Sequence, residues 1–274
     1  MTKISFCGIS GNGVSALAQI MAKKGFEVRG SDRCFDLGGD QDRKKALEEV
    51  GITIYPQDGS GITDDLDVLY VSTAVEDSIE DVKVAKAKNI PIKTRPDLLA
   101  ELFHQYTHNI AVSGTSGKTT TTAMVGYILD QLGQKPCMIN GGYLRNYENQ
   151  KGVANIIYNE GDICVIEADE SNGTIEKYHP YIGLINNIGV DHKSLDELIG
   201  LFKDFAARCK YGLVVNLDCD NCKDIKHPTK KTTTFSLKDS KADFFAYNLK
   251  AIPDGTQYSC LLYTSPSPRD PKTS

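Results

Sequence analysis

A short segment of the chain holds two glycines, a lysine and a threonine at a spacing suited to binding phosphate. Gly114 and Gly117 allow backbone N–H groups to converge on phosphate oxygens. Lys118 can reach the terminal phosphates of a nucleoside triphosphate, and the hydroxyl of Thr119 can ligate Mg²⁺. The usual pattern has a further glycine where Val112 stands, so we interpret the segment as a variant phosphate-binding loop.

Acidic side chains and a histidine follow two later apolar runs of the sequence. Glu167 lies near the end of the run 163–168, and Asp191 and His192 follow the run 181–188. Because ligands of parallel α/β sheets bind at the carboxyl ends of strands, we expect these groups to face the same crevice as the phosphate-binding loop. Carboxylate oxygens placed there are suitable ligands for Mg²⁺. A histidine that only hydrogen-bonds within its own loop is the alternative for His192.

The first turn of the chain, residues 8–13, is also rich in glycine. Its glycine density is typical of a nucleotide-binding turn, although the spacing differs from the usual G-x-G-x-x-G. Asp32 stands at the end of the second predicted strand, where it could bind a ribose. The pattern alone leaves open any nucleotide, or a tight turn without a ligand.

The elements that must position these residues alternate between strand and helix. The apolar patterns first predict strands over 4–9, 27–30, 52–55, 68–71 and 90–93, and helices over 14–24, 43–50, 82–88 and 98–103. After a polar linker they restart at Ile110 and predict strands over 136–139, 163–168, 181–188, 212–216, 232–236 and 244–250, and helices over 121–132 and 195–209. Such alternation predicts an α/β fold, with parallel sheets covered by helices.

The bulk composition is that of an ordinary soluble globular protein. The chain has 274 residues, of which 40% are hydrophobic and 24% charged, and this length suits two domains. Its net charge of −5 argues against nonspecific binding to nucleic acid. No apolar stretch approaches the ~20 residues of a membrane span. The first residues lead directly into a strand, so we expect no signal peptide, no membrane partner and a cytoplasmic location.

The eight cysteines are expected to be reduced thiols, most of them buried in strands. Cys219 and Cys222 form a C-x-x-C pair that is followed by His227, and this arrangement permits a zinc site. The sequence has no second C-x-x-C pair, so a loop that happens to hold two cysteines is the favoured alternative.

Taken together, these motifs resemble those of the Mur ligases. For the central domain, the matching segments are residues 114–122, 167–171 and 187–192. For the UDP-binding N-terminal domain, they are residues 8–15, 30–32, 72–74 and 90–91. Within the family, the similarity favours the branch that joins L-alanine to UDP-N-acetylmuramate. Other branches carry a carbamylated lysine where this sequence has Ala207.

The resemblance implies a division of the chain into three segments. Residues 1–105 would form a Rossmann-like domain that binds the UDP-substrate, and residues 106–260 an incomplete, ATP-binding central domain of the P-loop type. The third, C-terminal domain of the family would be absent. Residues 261–274 are rich in Pro and Ser, and we expect them to be a non-native or disordered tail of a truncated gene.

The resemblance also implies an ATP-dependent, amide-forming ligase of peptidoglycan precursor synthesis. ATP would phosphorylate the carboxylate of UDP-N-acetylmuramate, and the amino group of L-alanine would attack the acyl phosphate. Thr119 and Glu167 would hold Mg²⁺, His192 would hold a second metal, and Lys118 would act with Glu167 and His192 in catalysis. The implied ATP-binding residues are Gly114, Thr115, Ser116, Gly117, Lys118, Thr119, Thr120 and Asn187. The implied UDP-substrate-binding residues are Gly11, Asn12, Gly13, Ser31, Asp32 and Thr73.

Three alternatives stay open. One is the family member that recycles a tripeptide onto UDP-N-acetylmuramate, which shares these motifs. The second is a nicotinamide-dependent oxidoreductase built on the first domain, but it leaves Lys118 and Thr119 without a role. The third is a nucleotide-binding regulatory module without ligase chemistry. We expect the chain alone to bind nucleotide and UDP-sugar weakly and not to ligate.

Overall fold

A computed structural model of the chain describes residues 2–170, 173–189, 193–253 and 255–262. The chain divides into two compact units. The first unit comprises Met1–Asn109 and Thr119–Glu167, and the second comprises Ile110–Lys118 and Ala168–Ser274. Both units contain parallel strands and helices, which confirms the predicted α/β fold class.

The helices and strands follow the predicted alternation, with several shifts at their ends. The elements up to the phosphate-binding loop are β1 (Lys3–Cys7), α1 (Asn12–Lys23), β2 (Glu27–Ser31), α2 (Arg33–Asp36), α3 (Gln41–Glu49), β3 (Thr53–Tyr55), β4 (Val68–Val71), α4 (Glu80–Ala87), β5 (Ile92–Thr94), α5 (Arg95–His104) and β6 (His108–Ser113). The later elements are α6 (Lys118–Gln131), β7 (Cys137–Ile139), β8 (Ile156–Tyr158), β9 (Ile163–Ala168), β10 (Ile182–Ile185), α7 (Leu195–Arg208), β11 (Gly212–Asn216), β12 (Lys231–Ser236), β13 (Phe244–Ile252) and β14 (Gly255–Leu262).

The first unit contains a fully parallel sheet with the strand order β3-β2-β1-β4-β5. Its central strand β1 is buried from Ile4 to Cys7, as expected for a strand covered on both faces. Helix α1 buries Leu17 and Ile20 completely, so an apolar stripe holds the helix against its neighbours. This packing fixes the glycine-rich turn between β1 and α1.

Capping residues set where two of the helices begin. Helix α5 starts at Arg95, before the predicted 98–103, because Thr94 and Asp97 form a reciprocal capping box and Pro96 is compatible with the first helical turn. Helix α7 starts after a second capping box, between Ser194 and Glu197. Apolar spacing correctly placed the start of α7 at residue 195, but it missed the start of α5, which depends on polar capping residues.

The later part of the first unit adds three further strands. Strand β7 pairs in parallel with β9 and antiparallel with β8. Strand β8 was not predicted, although its three residues are apolar; its pairing with β7 identifies it as a strand. Glu167 lies on β9, one residue before the strand ends at Ala168.

The second unit contains strands in the order β6-β10-β11-β12-β13-β14, parallel as far as β13 and antiparallel between β13 and β14. Helix α7 buries Phe202 and Phe205, and Gly183 of β10 lets the end of this helix approach closely, since a Cβ there would lie 2.5 Å from Cys209 Sγ. Ser113 pairs with Ile185, so β6 and β10 end at the same edge. The loops that follow these two strands are therefore neighbours.

Strand β14 changes one predicted boundary. Leu261 and Leu262 pair with Phe245 and Phe244 of β13, so they belong to the hairpin and not to the tail predicted from residue 261. The rest of that tail, 263–274, lies outside the described residues. Within the described ranges, no helix is both long enough and apolar enough to cross a membrane.

Candidate active site

The phosphate-binding loop joins the end of β6 to the start of α6. Gly114 and Gly117 have φ angles of +132° and +80°, which residues with a side chain rarely adopt. A Cβ on Gly114 would lie 3.0 Å from the backbone nitrogen of Asn187. Glycine at 114 is therefore required by both the backbone angle and the close approach.

Val112 belongs to the sheet and not to the loop. It pairs with Leu184 of β10 and its side chain is fully buried. The turn begins only after Ser113, which explains why an apolar residue occupies the position where the usual pattern has glycine.

Asn187, which follows β10, holds the loop in shape. Its backbone oxygen accepts from the Thr115 N–H at 3.0 Å, and its Oδ1 accepts from the Ser116 N–H at 2.8 Å. Its Nδ2 donates to the Ser116 carbonyl oxygen at 2.9 Å. The Gly189 N–H donates to Thr115 Oγ1 at 2.9 Å, so a second residue of the same segment fixes the loop. The structure thus brings three of the predicted ATP-binding residues together and gives Asn187 a shaping role.

The amine of Lys118 is held by the loop and by a buried acid. It donates to the Gly114 carbonyl oxygen at 2.7 Å and to Glu170 Oε2 at 3.0 Å, and it lies 3.7 Å from Asp169 Oδ1. The side chains of Lys118 and Glu170 are 16% and 5% exposed. Glu170 was not among the predicted site residues, although it stands in the acidic run that begins at Glu167. The signal was present in the sequence, but only the fold shows which acid meets the lysine.

Thr119 and Glu167, the predicted Mg²⁺ ligands, are in direct contact. Thr119 Oγ1 donates to Glu167 Oε2 at 2.9 Å, and the Gly141 N–H donates to Glu167 Oε1 at 2.5 Å. A hydroxyl and a carboxylate are the hard oxygen ligands that Mg²⁺ prefers, and one or two protein ligands beside substrate phosphates is its usual arrangement. The residues present therefore fit this metal. His192, predicted for a second metal, lies outside the described residues together with Asp191.

The turn between β1 and α1 borders a separate cleft of about 500 Å³. Gly8, Gly11, Asp32 and Ser72 are among its lining residues. Asp32 accepts from the Ser10 N–H at 2.8 Å and from the Cys34 N–H at 2.9 Å, so it fixes the turn and caps α2. Two of the residues predicted for the UDP-substrate, Gly11 and Asp32, therefore line this cleft.

The other residues predicted for the UDP-substrate lie in different surroundings. Ser31 is 2% exposed, and its hydroxyl donates to the buried carboxylate of Asp81. Burial raises the pKa of that carboxyl group. Thr73 is exposed and lies two residues after β4. Gly13 lies beside the Arg95 guanidinium: a Cβ on Gly13 would be 2.9 Å from Arg95 Nη1. Arg95 therefore places a positive charge next to the start of helix α1, and this residue was not among those predicted from the sequence.

The possible zinc site at Cys219, Cys222 and His227 is not formed. His227 Nε2 is hydrogen-bonded to the Cys209 carbonyl oxygen at 2.7 Å, and its Nδ1 accepts from the Lys230 N–H at 2.7 Å. Both ring nitrogens are thus used by the backbone, and neither can bind a metal. Among the residues that the structure describes, no cluster of three or more His, Cys, Asp or Glu side chains could hold a metal ion.

Comparison with known proteins places both parts of the chain in one family. Residues 3–107 match the model of the Mur ligase family, catalytic domain, and residues 112–267 match that of the Mur ligase middle domain. The second match covers more than half of the chain. The chain belongs to the Mur ligase family. This membership sets aside the nicotinamide-dependent oxidoreductase considered above.

Among relatives of this Mur ligase chain is the UDP-N-acetylmuramate–L-alanine ligase of Dictyoglomus turgidum, which is 35% identical over 93% of the chain and 54% of the relative. The crystal structure of UDP-N-acetylmuramate–alanine ligase from Thermotoga maritima matches with a TM-score of 0.76 and 26% identity, over 90% of this chain and 54% of that one. The Mur ligase chain thus spans about half the length of these relatives.

A second solved structure shares the fold. The UDP-N-acetylmuramate:L-alanyl-γ-D-glutamyl-meso-diaminopimelate ligase of Neisseria meningitides matches with a TM-score of 0.75, over 96% of this chain and 84% of that one. Its identity of 24% shows a common fold and no more. Among Mur ligases, fold alone therefore does not separate the L-alanine ligase from the peptide ligase.

Proposed function

We propose that this chain provides the ATP site and the UDP-sugar site of a ligase that joins L-alanine to UDP-N-acetylmuramate. The observation that carries the proposal is the contact of Thr119 with Glu167, directly after a loop that holds Lys118. The 35% identity to an L-alanine ligase supports the choice of substrates.

In this proposal the loop from Gly114 to Lys118 binds the terminal phosphates of ATP. The N–H groups at the start of α6 and the amine of Lys118 supply the positive charge that the phosphates need. Thr119 and Glu167 would hold Mg²⁺, which would supply positive charge to the transferred phosphoryl group. Binding of ATP requires Lys118 to exchange the carboxylate of Glu170 for a phosphate oxygen.

The first turn of the chain binds the diphosphate of the UDP-sugar. The N–H groups of Asn12 and Gly13 have no intrahelical acceptor, because α1 begins there. The guanidinium of Arg95 lies beside them and adds a full positive charge. Asp32 keeps the turn in place through its bonds to Ser10 and Cys34.

The reaction in this proposal proceeds in two transfers. A carboxylate oxygen of UDP-N-acetylmuramate attacks the γ-phosphorus of ATP, ADP leaves, and an acyl phosphate forms. The amino nitrogen of L-alanine then attacks the carbonyl carbon, phosphate leaves, and the nitrogen loses a proton to give the amide. The protein contributes positioning and charge stabilisation to the first transfer, with little covalent chemistry of its own.

Calorimetric titration of the chain with Mg·ATP and with UDP-N-acetylmuramate tests the two sites. We expect both ligands to bind, Lys118→Ala to abolish binding of Mg·ATP only, and NADH not to bind. Phosphate release by the longest product of the native gene tests the chemistry. Release that requires both UDP-N-acetylmuramate and L-alanine supports the proposal. Release that requires a tripeptide in place of L-alanine indicates the recycling ligase, and release without either substrate refutes ligation.

A further inference from the structure

One residue of the β7–β8 connection contacts both the first turn of the chain and the Mg²⁺ carboxylate. The carbonyl oxygen of Gly141 accepts from Asn12 Nδ2 at 2.7 Å, and the N–H of the same residue donates to Glu167 Oε1 at 2.5 Å. Glu167 Oε2 in turn accepts from Thr119 Oγ1. A continuous series of hydrogen bonds therefore leads from Asn12 to Thr119, and we call it the polar bridge.

Buried side chains hold the Asn12 end of the polar bridge. Asn155 Nδ2 donates to the Asn12 carbonyl oxygen at 2.8 Å, and Gln19 Nε2 donates to Asn155 Oδ1 at 3.0 Å. Gln19 also accepts from the Val153 N–H at 2.8 Å. Asn155 and Gln19 are 1% and 0% exposed, so solvent does not compete for these bonds. Asn12 thus presents its amide to Gly141 from a fixed backbone.

A second connection ties the same loop to the first turn. Arg43 Nη2 donates to the hydroxyl of Tyr143 at 2.5 Å, and Arg43 Nη1 donates to the carbonyl oxygen of Ser10. The guanidinium also lies over the Tyr143 ring, 5.7 Å from its centroid. The loop is therefore held to the first turn at two points, which argues against a chance contact of one exposed asparagine.

The loop also packs closely on both predicted Mg²⁺ ligands. A Cβ on Gly141 would lie 3.0 Å from Glu167 Oε1, and a Cβ on Gly142 would lie 3.0 Å from Thr119 Cγ2. A shift of the loop towards these residues would therefore press on the Glu167 carboxylate and the Thr119 side chain. Partners of this kind, which orient metal ligands without touching the metal, strongly affect metal affinity in proteins.

We infer that Asn12 is a positioning residue for the Mg²⁺ carboxylate, acting through Gly141 on Glu167, and that its side chain is not a ligand of the UDP-sugar. The inference rests on the proposed function for the identity of the metal site, but its hydrogen bonds lie entirely within the chain. It assigns the side chain of Asn12 to the ATP half of the reaction, although Asn12 lies in the turn that serves the other substrate.

The test compares Asn12→Ala and Asn12→Asp with a matched control, Asn149→Ala, an exposed asparagine of the same unit. Asn12→Ala removes the donor, and Asn12→Asp is isosteric but places a carboxylate against the Gly141 carbonyl oxygen. We expect the Mg²⁺ concentration for half-maximal binding of a fluorescent ATP analogue to rise about three- to tenfold in Asn12→Ala. This is less than the roughly 10- to 100-fold effect of a direct partner of a metal ligand, because Asn12 acts through Gly141. Asn12→Asp should show at least the same rise, and Asn149→Ala none. Affinity for UDP-N-acetylmuramate should change less than twofold in Asn12→Ala.

A second measurement needs no ligand. Hydrogen exchange of the peptide that contains Gly141 should be faster in Asn12→Ala than in the wild type and in Asn149→Ala, because the loop loses an anchor. Unchanged exchange overturns the inference. A loss of UDP-N-acetylmuramate affinity with an unchanged Mg²⁺ requirement also overturns it, since Asn12 is then a substrate ligand. Absence of ATP binding in the wild type refutes the proposed function instead, and the exchange experiment still decides the inference.

Discussion

The pair of Lys118 and Glu170 gives the sharpest stability prediction. The two side chains are 16% and 5% exposed, and their charged groups lie 3.0 Å apart. Lys118→Ala removes the amine and leaves the Glu170 carboxylate buried without its cation. Glu170→Gln keeps the shape but removes the negative charge, so the double variant Lys118→Ala/Glu170→Gln contains neither charge of the pair.

The expected size of the effect follows from the burial of the pair. Removing one partner of a fully buried ion pair costs about 3–5 kcal/mol. Water reaches Lys118 in part, so we expect Lys118→Ala to cost about 2–3 kcal/mol, at the lower end of that range. For a chain of this size, 1 kcal/mol shifts the melting temperature by about 2–4 °C, which predicts a loss of about 5–10 °C. The double variant should regain about half of the lost melting temperature, because the neutral amide that replaces the Glu170 carboxylate can be buried without a positively charged partner.

Circular dichroism melting of the four proteins in the absence of nucleotide measures this cycle. Lys223→Ala is the matched control, because Lys223 is 52% exposed and pairs with an exposed acid at 3.3 Å. Surface pairs of this kind contribute about 0–1 kcal/mol, so the control should melt within about 3 °C of the wild type. If Lys118→Ala melts as high as Lys223→Ala, or if Glu170→Gln further destabilises the Lys118→Ala protein, the pair is not the buried interaction described here.

Three further predictions concern the turns and a buried thiol. Gly114→Ala should destabilise the protein by about 1–3 kcal/mol, because the backbone angle at this position is strained for alanine. Gly200→Ala should stabilise it by about 0.5–1 kcal/mol, since Gly200 lies in helix α7 and the added methyl group has nothing within 4 Å. Thermal melting distinguishes the two variants, and equal shifts in melting temperature would contradict the argument. Asp32→Ala should lower the free energy of unfolding by about 2–3 kcal/mol, because the carboxylate accepts hydrogen bonds from two backbone N–H groups. Calorimetry should also show that this variant binds UDP-N-acetylmuramate more weakly. Burial raises the pKa of Cys7 to about 12 from an ordinary 9.0, so its contribution to stability is full below about pH 9 and is lost as the pH rises towards 12. At pH 8.5 iodoacetamide should therefore alkylate the exposed Cys260 before Cys7. Mass spectrometry of the peptides measures the order of alkylation, and faster alkylation of Cys7 would contradict this prediction.

The sequence predicted the elements with a strong local signal and missed those without one. Strands β4, β9 and β11 have the bounds that their apolar runs predicted. Strand β8 is a short apolar segment of three residues and β14 is rich in polar residues, and neither was predicted. These two segments are strands because they form backbone hydrogen bonds with β7 and β13, and such pairing cannot be recognised from the local sequence pattern.

The same distinction holds for the candidate site. The roles of Gly114 and Thr119 follow from their place in a short motif, because the loop backbone is local. Glu170 and Asn12 required the fold, since the partner of Glu170 is 52 residues away and that of Asn12 is 129 residues away. Contacts of this length depend on strand order, which spacing along the chain does not encode.

In the proposed function, the backbone of the phosphate-binding loop already has the shape that the nucleotide needs. Asn187 fixes the backbone at Thr115 and Ser116, so binding need not order the loop and loses little conformational entropy. The cost of binding lies instead in the Lys118 amine, which must leave Glu170. A phosphate carries more charge than a carboxylate and can also accept from the N–H groups at the start of α6, so the exchange should favour the nucleotide. Glu170 thus keeps the Lys118 side chain ordered, and because its negative charge repels phosphate, Glu170→Gln should lower the melting temperature while it strengthens binding of the free triphosphate.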